Sequence, residues 1–210
     1  MIISHIYRFI FIHIPKCAGT SITQAFLPVL GEEDLVLGCT PEGERLHEEN
    51  LKKGGIAKHS TAQEVLQHVG PEVWKNYFKF TFVRNPWDLI VSRYHWCLKT
   101  TWEDEKNTIK GIRELEDFED YLFSPFANQR NCVEFLFDLD GNININYVGK
   151  HEILTDNFNE VCKQVGLPKV KINHHNTTNH LHYTKYYNSI TRYLVKDQFA
   201  RDIGYFNYSF

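Results

Sequence analysis

Long apolar runs, an excess of basic residues and paired cysteines are all missing from this chain of 210 residues. The N-terminal isoleucines Ile2, Ile3 and Ile6 are interrupted by His5 and Arg8, and the apolar stretch then continues as a strand. Neither a signal peptide nor a membrane anchor is read there. The formal charge is -3, with 23 lysines and arginines against 26 acids, and the two signs are mixed throughout. A duplex nucleic-acid binder would carry a basic stripe, so nucleic acid is excluded as a partner and any anion site must be local. The five cysteines (Cys17, Cys39, Cys97, Cys132, Cys162) show no CxxC spacing and are odd in number. That fits reduced thiols and a cytoplasmic location better than a disulfide framework. No internal repeat or low-complexity tract is visible, and the length suits a single α/β domain over residues 1–210.

What is present begins with Pro15-Lys16-Cys17-Ala18-Gly19-Thr20-Ser21. The β-branched and aromatic run from Tyr7 to Ile14 predicts a strand, and the hydroxyl-rich Thr20 to Leu27 predicts a short helix with Ile22, Ala25 and Phe26 on one face. Lys16 then lies in a loop between strand and helix start, where backbone N–H groups and a lysine together attract phosphate. The loop is not a Walker A sequence, in which the lysine follows the second glycine and directly precedes Ser or Thr. Here the lysine comes first, which points to a phosphate-bearing ligand other than ATP.

Between Gly31 and Gly55 the chain is polar with weak periodicity, and a mobile loop near a substrate is expected. Thr61 to Val69 predicts a helix with Thr61 and Glu64 at capping-box spacing, and His59 just ahead of it. Phe78 to Val83 predicts a second strand, and Asn85-Pro86-Trp87-Asp88 has the residues of a helix start. That helix should run to about Leu98 with Trp87, Ile90, Val91, Tyr94 and Leu98 as its apolar stripe, leaving Asp88, Ser92 and Lys99 on another face. An acidic helix is expected around Glu114 to Leu122, a third strand near Ile143 to Val148, and a helix over Thr155 to Val165 stopped by Gly166-Leu167-Pro168. A His/Asn/Tyr-rich connection from Lys169 to Tyr187 precedes one closing helix from Ser189 to about Ile203.

Arg84, at the end of the second strand, and Ser92, in the second turn of the following helix, repeat the strand-to-helix arrangement. An arginine can grip a phosphate through two charge-assisted bonds and a serine can add a hydroxyl. In a parallel sheet both loops emerge at carboxyl ends of strands, where such folds bind ligands. Two separate phosphate sites imply a ligand with two separated phosphates.

The chain, over most of its length, resembles the sulfotransferases that use 3′-phosphoadenosine-5′-phosphosulfate (PAPS), in particular the carbohydrate branch related to heparan sulfate 2-O-sulfotransferase. The resemblance rests on Pro15 to Ser21 and on the Arg84-x7-Ser92 pair, with Tyr147 to Glu152 and Asp202 to Tyr205 also similar to family segments. It implies an α/β, three-layer P-loop-like fold with a central, mainly parallel sheet flanked by helices. It further implies that the Pro15–Ser21 loop binds the 5′-phosphosulfate and that Arg84 and Ser92 bind the 3′-phosphate. The cosubstrate would be PAPS and the product 3′,5′-ADP, the acceptor a hydroxyl of a carbohydrate or other small molecule, and no metal is expected.

Sulfuryl transfer, like phosphoryl transfer, needs an in-line nucleophile and stabilisation of charge on the leaving oxygen. Lys16 suits the bridging oxygen, and Thr20, Ser21 and backbone N–H groups suit the phosphate. The acceptor hydroxyl needs a base, and His59 is chosen because it falls between the two phosphate motifs, in an interval where family members carry a catalytic histidine. Glu48, Glu49 or an acid from the middle of the chain are the alternatives. His13, inside the strand pattern, reads as a packed and hydrogen-bonded residue. The group His174, His175, His180 and His182 matches no standard zinc spacing. Rival readings are a P-loop kinase or nucleotide hydrolase, against which the position of Lys16 counts, and a nucleotide-binding module without catalysis.

Overall fold

The computed structural model describes residues 1–101, 107–137, 141, 142, 144–168, 170–173 and 180–210. Along the chain come β1 (Ile2–Ser4), β2 (Phe9–Ile12), α1 (Gly19–Phe26), β3 (Leu35–Val36), α2 (Pro41–Lys52), α3 (Ala62–Asn76), β4 (Phe78–Val83) and α4 (Pro86–Lys99). There follow α5 (Thr108–Arg113), α6 (Phe118–Phe123), β5 (Tyr147–Lys150), α7 (Leu154–Gln164), α8 (Ser189–Gln198) and α9 (Ala200–Phe206). Two compact units result: Met1–Val83 with Glu134–Asn176, and Arg84–Val133 with Thr177–Phe210.

The first unit holds a five-stranded sheet in the order β3-β1-β2-β4-β5. β2, β4 and β5 are parallel, and β1 is antiparallel to both β2 and β3, so four of the five strands share one direction. Phe9 to Ile12 and Phe80 to Val83 are buried without alternation, as expected of parallel strands covered on both faces. On one face the Phe11 and Phe80 rings stack at 5.1 Å, and Phe26 of α1 bridges Phe9 to Phe158 of α7 at 4.9 and 5.0 Å. These rings fix the end of β2 relative to the start of α1, which is where the lysine loop lies. Gly149 in β5 is required by packing, because a Cβ there would meet the Phe82 ring at 2.6 Å.

Several expectations change. The strand read as Tyr7 to Ile14 is shorter, and Ile2–Ser4 forms its own antiparallel partner through a turn in which Arg8 has φ 51°. The segment read as a loop from Gly31 to Gly55 contains β3 and the 12-residue α2, started by the Thr40 side chain and Pro41. Its periodicity is weak because α2 buries only Gly43; Arg45 pairs with Glu42 and Glu49 along its exposed side. The helix from Thr61 has the expected capping box with Glu64, but it restarts after Gly70 (φ 79°) and Pro71 and continues to Asn76. The third strand is Tyr147–Lys150, and Ile143 of the expected strand lies outside the described residues. In α7, Phe158, Val161, Cys162 and Val165 are buried as the spacing requires.

The second unit is helical. Asn85 caps α4 by accepting the Trp87 N–H at 3.1 Å. Trp87, Ile90, Val91 and Tyr94 are buried as expected, but Cys97 and Leu89 complete the buried face and Leu98 is exposed. Ser92, read on a face apart from the apolar stripe, is buried too. The acidic helix is Phe118–Phe123, capped by Asp117. The single closing helix is two, broken at Phe199, whose φ/ψ of -107/25° leaves the helical region. Asp202, 1% exposed, accepts the Cys132 and Val133 N–H groups at 2.7 and 2.8 Å.

Candidate active site

Between β2 and α1 the backbone takes an unusual course. Lys16 and Ala18 both lie in the left-handed region, with φ 63° and 64°, whereas Pro15, Cys17 and Gly19 do not. Each left-handed non-glycine residue costs about 1–2 kcal/mol. Alternating signs of φ turn successive N–H groups toward one side, the concavity that binds anions. α1 begins at Gly19 behind Ala18, a residue that supplies no capping side chain, and its first turn holds no acid. No acid in that turn offsets the partial positive charge of the helix start, which suits an anion. Lys16 and Thr20 are half-buried at this point, while Cys17 and Ser21 are buried.

Gly19 is explained by a side chain rather than by its own φ. A Cβ on it would stand 1.8 Å from Nε2 of His13, so the imidazole occupies the space that any larger residue would need. His13 is buried, and its Nδ1 is 3.3 Å from the Met1 amino group. Burial, the Met1 amine, His59 and Lys58 all hold it well below the usual histidine range, so it is neutral.

His59 stands in the turn before α3, a turn closed by Ser60 bonding Ala57 in both directions at 3.1 and 2.9 Å. Its Nδ1 lies 2.8 Å from the His13 carbonyl, and its ring meets the His13 ring edge-on at 4.6 Å. A carbonyl only accepts, so Nδ1 carries the hydrogen and Nε2 keeps the lone pair. Burial lowers the His59 pKa to about 4; the His13 carbonyl opposes that shift, and the Met1 amine, Lys58 and His47 add to it. Of the carboxylates weighed as bases, Glu49 is paired with Arg45 on α2.

The turn at residues 38–40 was missed by sequence reasoning. Gly38 and Cys39 are left-handed, the Cys39 carbonyl accepts from Gln24 at 2.8 Å, and the Cys39 thiol is 3.8 Å from the Thr20 hydroxyl. Glu44 accepts the Cys39 N–H at 2.9 Å and pairs with Lys58 at 2.8 Å, which ties the start of α2 to α1 and to the residue before His59. Burial raises the Glu44 pKa, but the bonds from Lys58 and Cys39 outweigh it and hold the carboxylate below its ordinary value. No spacing rule announces this network, because its members come from three segments.

In the second unit the Arg84 Nη1 donates to the Ser92 hydroxyl at 2.9 Å, and its Nε donates to Asp88 at 2.8 Å. The seven intervening residues place Asp88 one turn and Ser92 two turns along α4, which stacks both under one guanidinium. Asp88 and Ser92 therefore share a face as read, but it is an inner one. Of the histidine group considered for zinc, His174 and His175 lie outside the described residues. His180 and His182 bond to the Leu181 carbonyl and the Thr184 hydroxyl.

A family model described as the sulfotransferase family matches residues 1–209, and so runs through both units. The chain belongs to the sulfotransferase family. Sulfuryl transfer is accordingly the chemistry of this family member, to an acceptor bearing a hydroxyl. It is similar to an uncharacterized protein of Archaeoglobus fulgidus, 28% identical over 121 residues, which cover 52% of this chain and 87% of the relative. No solved structure matches this sulfotransferase family member. Among its described residues no helix is long and apolar enough to cross a membrane.

Proposed function

We propose that the protein is a PAPS-dependent sulfotransferase, one catalytic domain over residues 1–210, acting on a hydroxyl of a carbohydrate or other small acceptor. The observation that carries the reading is the loop Pro15–Ser21, left-handed at Lys16 and Ala18 and continued into a helix with no side-chain cap. These residues fit a phosphosulfate: they offer backbone N–H groups, the Thr20 and Ser21 hydroxyls and one lysine, and no acid in the first turn opposes an anion. Family membership supports the donor, since sulfotransferases generally use PAPS. The resemblance assigns the 3′-phosphate to Arg84 and Ser92, whose side chains are buried and already paired with each other.

Bound PAPS would supply the sulfuryl group. The chain's own residues would do the rest. Lys16 places a positive charge where the bridging oxygen gains negative charge as the bond to the leaving phosphate breaks. Thr20, Ser21 and the loop N–H groups hold that phosphate, with Cys17, Ala18 and Gly19 shaping the loop. His59, neutral and with its Nε2 lone pair available, takes the proton of the acceptor hydroxyl. Five free thiols suit a reducing, cytoplasmic setting.

Calorimetric titration with 3′,5′-ADP and, separately, with ATP plus magnesium tests the donor. Tight 3′,5′-ADP binding is expected; ATP binding without 3′,5′-ADP binding would place the protein with kinases or hydrolases. Transfer of radiolabelled sulfate from PAPS across a panel of saccharides and small alcohols then identifies the acceptor class. Nucleotide binding with no transfer to any of them would favour a non-catalytic module.

A further inference from the structure

We propose that His13 is a positioning residue that couples the anion loop to His59. Its carbonyl sets the His59 tautomer, and its imidazole, lodged against Gly19 on one side and the His59 ring on the other, fixes the base relative to the loop. The inference rests on the reading of His59 as base and of Pro15–Ser21 as the nucleotide loop.

Five contacts meet at this one residue. The His13 carbonyl accepts His59 Nδ1–H at 2.8 Å. The two rings meet edge-on at 4.6 Å and 73°, which holds the plane of His59 as well as its position. On the other side Nε2 of His13 fills the place of a Gly19 side chain, 1.8 Å from where the Cβ would be. The Met1 amino group, 3.3 Å from Nδ1, and the stacked Phe11 ring at 5.6 Å keep the imidazole from turning away. Close-packed interiors transmit displacements instead of absorbing them. A movement of the loop at Gly19 therefore pushes on the His13 ring, and that ring pushes on His59. The loop and the base come from segments 40 residues apart, at Gly19 and His59, and the His13 side chain touches both.

His59 is also shielded by this ring. The charged and titratable groups around it are His13, the Met1 amine, Lys58 and His47. Removing the His13 ring admits water and relieves the burial that keeps His59 low, so its titration moves upward.

The test is an NMR titration of nitrogen-labelled histidine in the full chain, for the native protein, His13→Asn, Gly19→Ala and the double variant. His13→Asn keeps a polar group for the Met1 amine but removes the ring edge. The native His59 is expected as the Nδ1–H tautomer. His13→Asn should raise its midpoint by about one unit. Gly19→Ala, which retains His13 but drives it out of place, should move the His59 signal in the same direction. In the double variant the new methyl fits the vacated space, so its His59 should match that of His13→Asn alone, a non-additive cycle. An unchanged His59 midpoint in both single variants overturns the coupling, and so does simple addition of their effects; the tautomer, set by the main-chain carbonyl, stays the same throughout. In turnover, His13→Asn should lower kcat about tenfold with KM for PAPS within about threefold. Equal losses in kcat and in PAPS affinity, with no change in the pH profile, would reduce His13 to a packing residue. Full turnover in His59→Ala removes the base assignment instead, a result that the NMR readout of the coupling does not share.

Discussion

His59 donates its Nδ1 hydrogen to the main-chain oxygen of His13 across 2.8 Å, and this bond leaves the Nε2 lone pair as the group that can accept a proton. Because the partner is backbone, no side-chain substitution at residue 13 abolishes it directly. His59→Ala should lower turnover about 10²–10⁴-fold, the usual contribution of a general base. Binding of 3′,5′-ADP should change by less than about twofold, since the base serves the acceptor. A variant with native turnover would move the search to another base.

Acidity should act on the same residue. Burial pushes the folded His59 down to about 4, from the ordinary imidazole range near 6.5. Between these values the unfolded chain binds the proton and the folded one does not, so stability rises with pH through that window and is lost as pH falls from about 6.5 toward 4. His13, lowered in the same direction, adds to the trend. Chemical denaturation at pH 7.5 and pH 5 should therefore give a lower midpoint at pH 5, by a margin that shrinks in His59→Ala. A midpoint independent of pH over that range would contradict the burial of both imidazoles.

Lys16 and Arg84 should divide their effects between chemistry and binding. Lys16 serves charge that appears only as the leaving bond breaks, so Lys16→Ala should reduce kcat about 10²–10³-fold while 3′,5′-ADP affinity falls far less. Arg84 serves a phosphate present throughout, so Arg84→Ala should weaken 3′,5′-ADP about 10–100-fold, the loss expected for a charge-assisted pair. Calorimetry and single-turnover transfer on the two variants check this; equal losses for Lys16→Ala, or unaltered affinity for Arg84→Ala, would break the assignment.

Asp202 tests the second unit without touching the chemistry. Its two carboxylate oxygens receive the buried Cys132 and Val133 N–H groups, so Asp202→Ala removes both of these bonds. A loss of about 2–5 kcal/mol in unfolding free energy is expected, with a smaller loss for Asp202→Asn, which keeps one acceptor. Denaturant melts of both variants measure it, and equal stability of the two would show that the carboxylate is not the acceptor that matters.

Much of the frame could be read from the chain. Phe78 to Val83 is the strand expected, because a run of aromatic and β-branched residues buried on both faces needs no alternation. Asn85-Pro86 marks the start of α4, since cap and first-turn proline are local chemistry. α2 was illegible for the opposite reason: a helix that buries only Gly43 has no apolar stripe to betray it. The inner position of Ser92 was hidden because Arg84, eight residues earlier, turns a polar residue inward by bonding to it.

The sequence by itself determined the position of the lysine loop between strand and helix and the start of α4 at Asn85-Pro86. Each of these follows from residue type and short spacing, which act within a few turns of chain. Only the tertiary structure decided that His13 lies against Gly19, that its carbonyl orients His59, and that Cys39, Glu44 and Lys58 bind the start of α2 to α1. Those contacts join segments tens of residues apart, and they depend on how the sheet and helices close over one another, a matter of packing that no local spacing records.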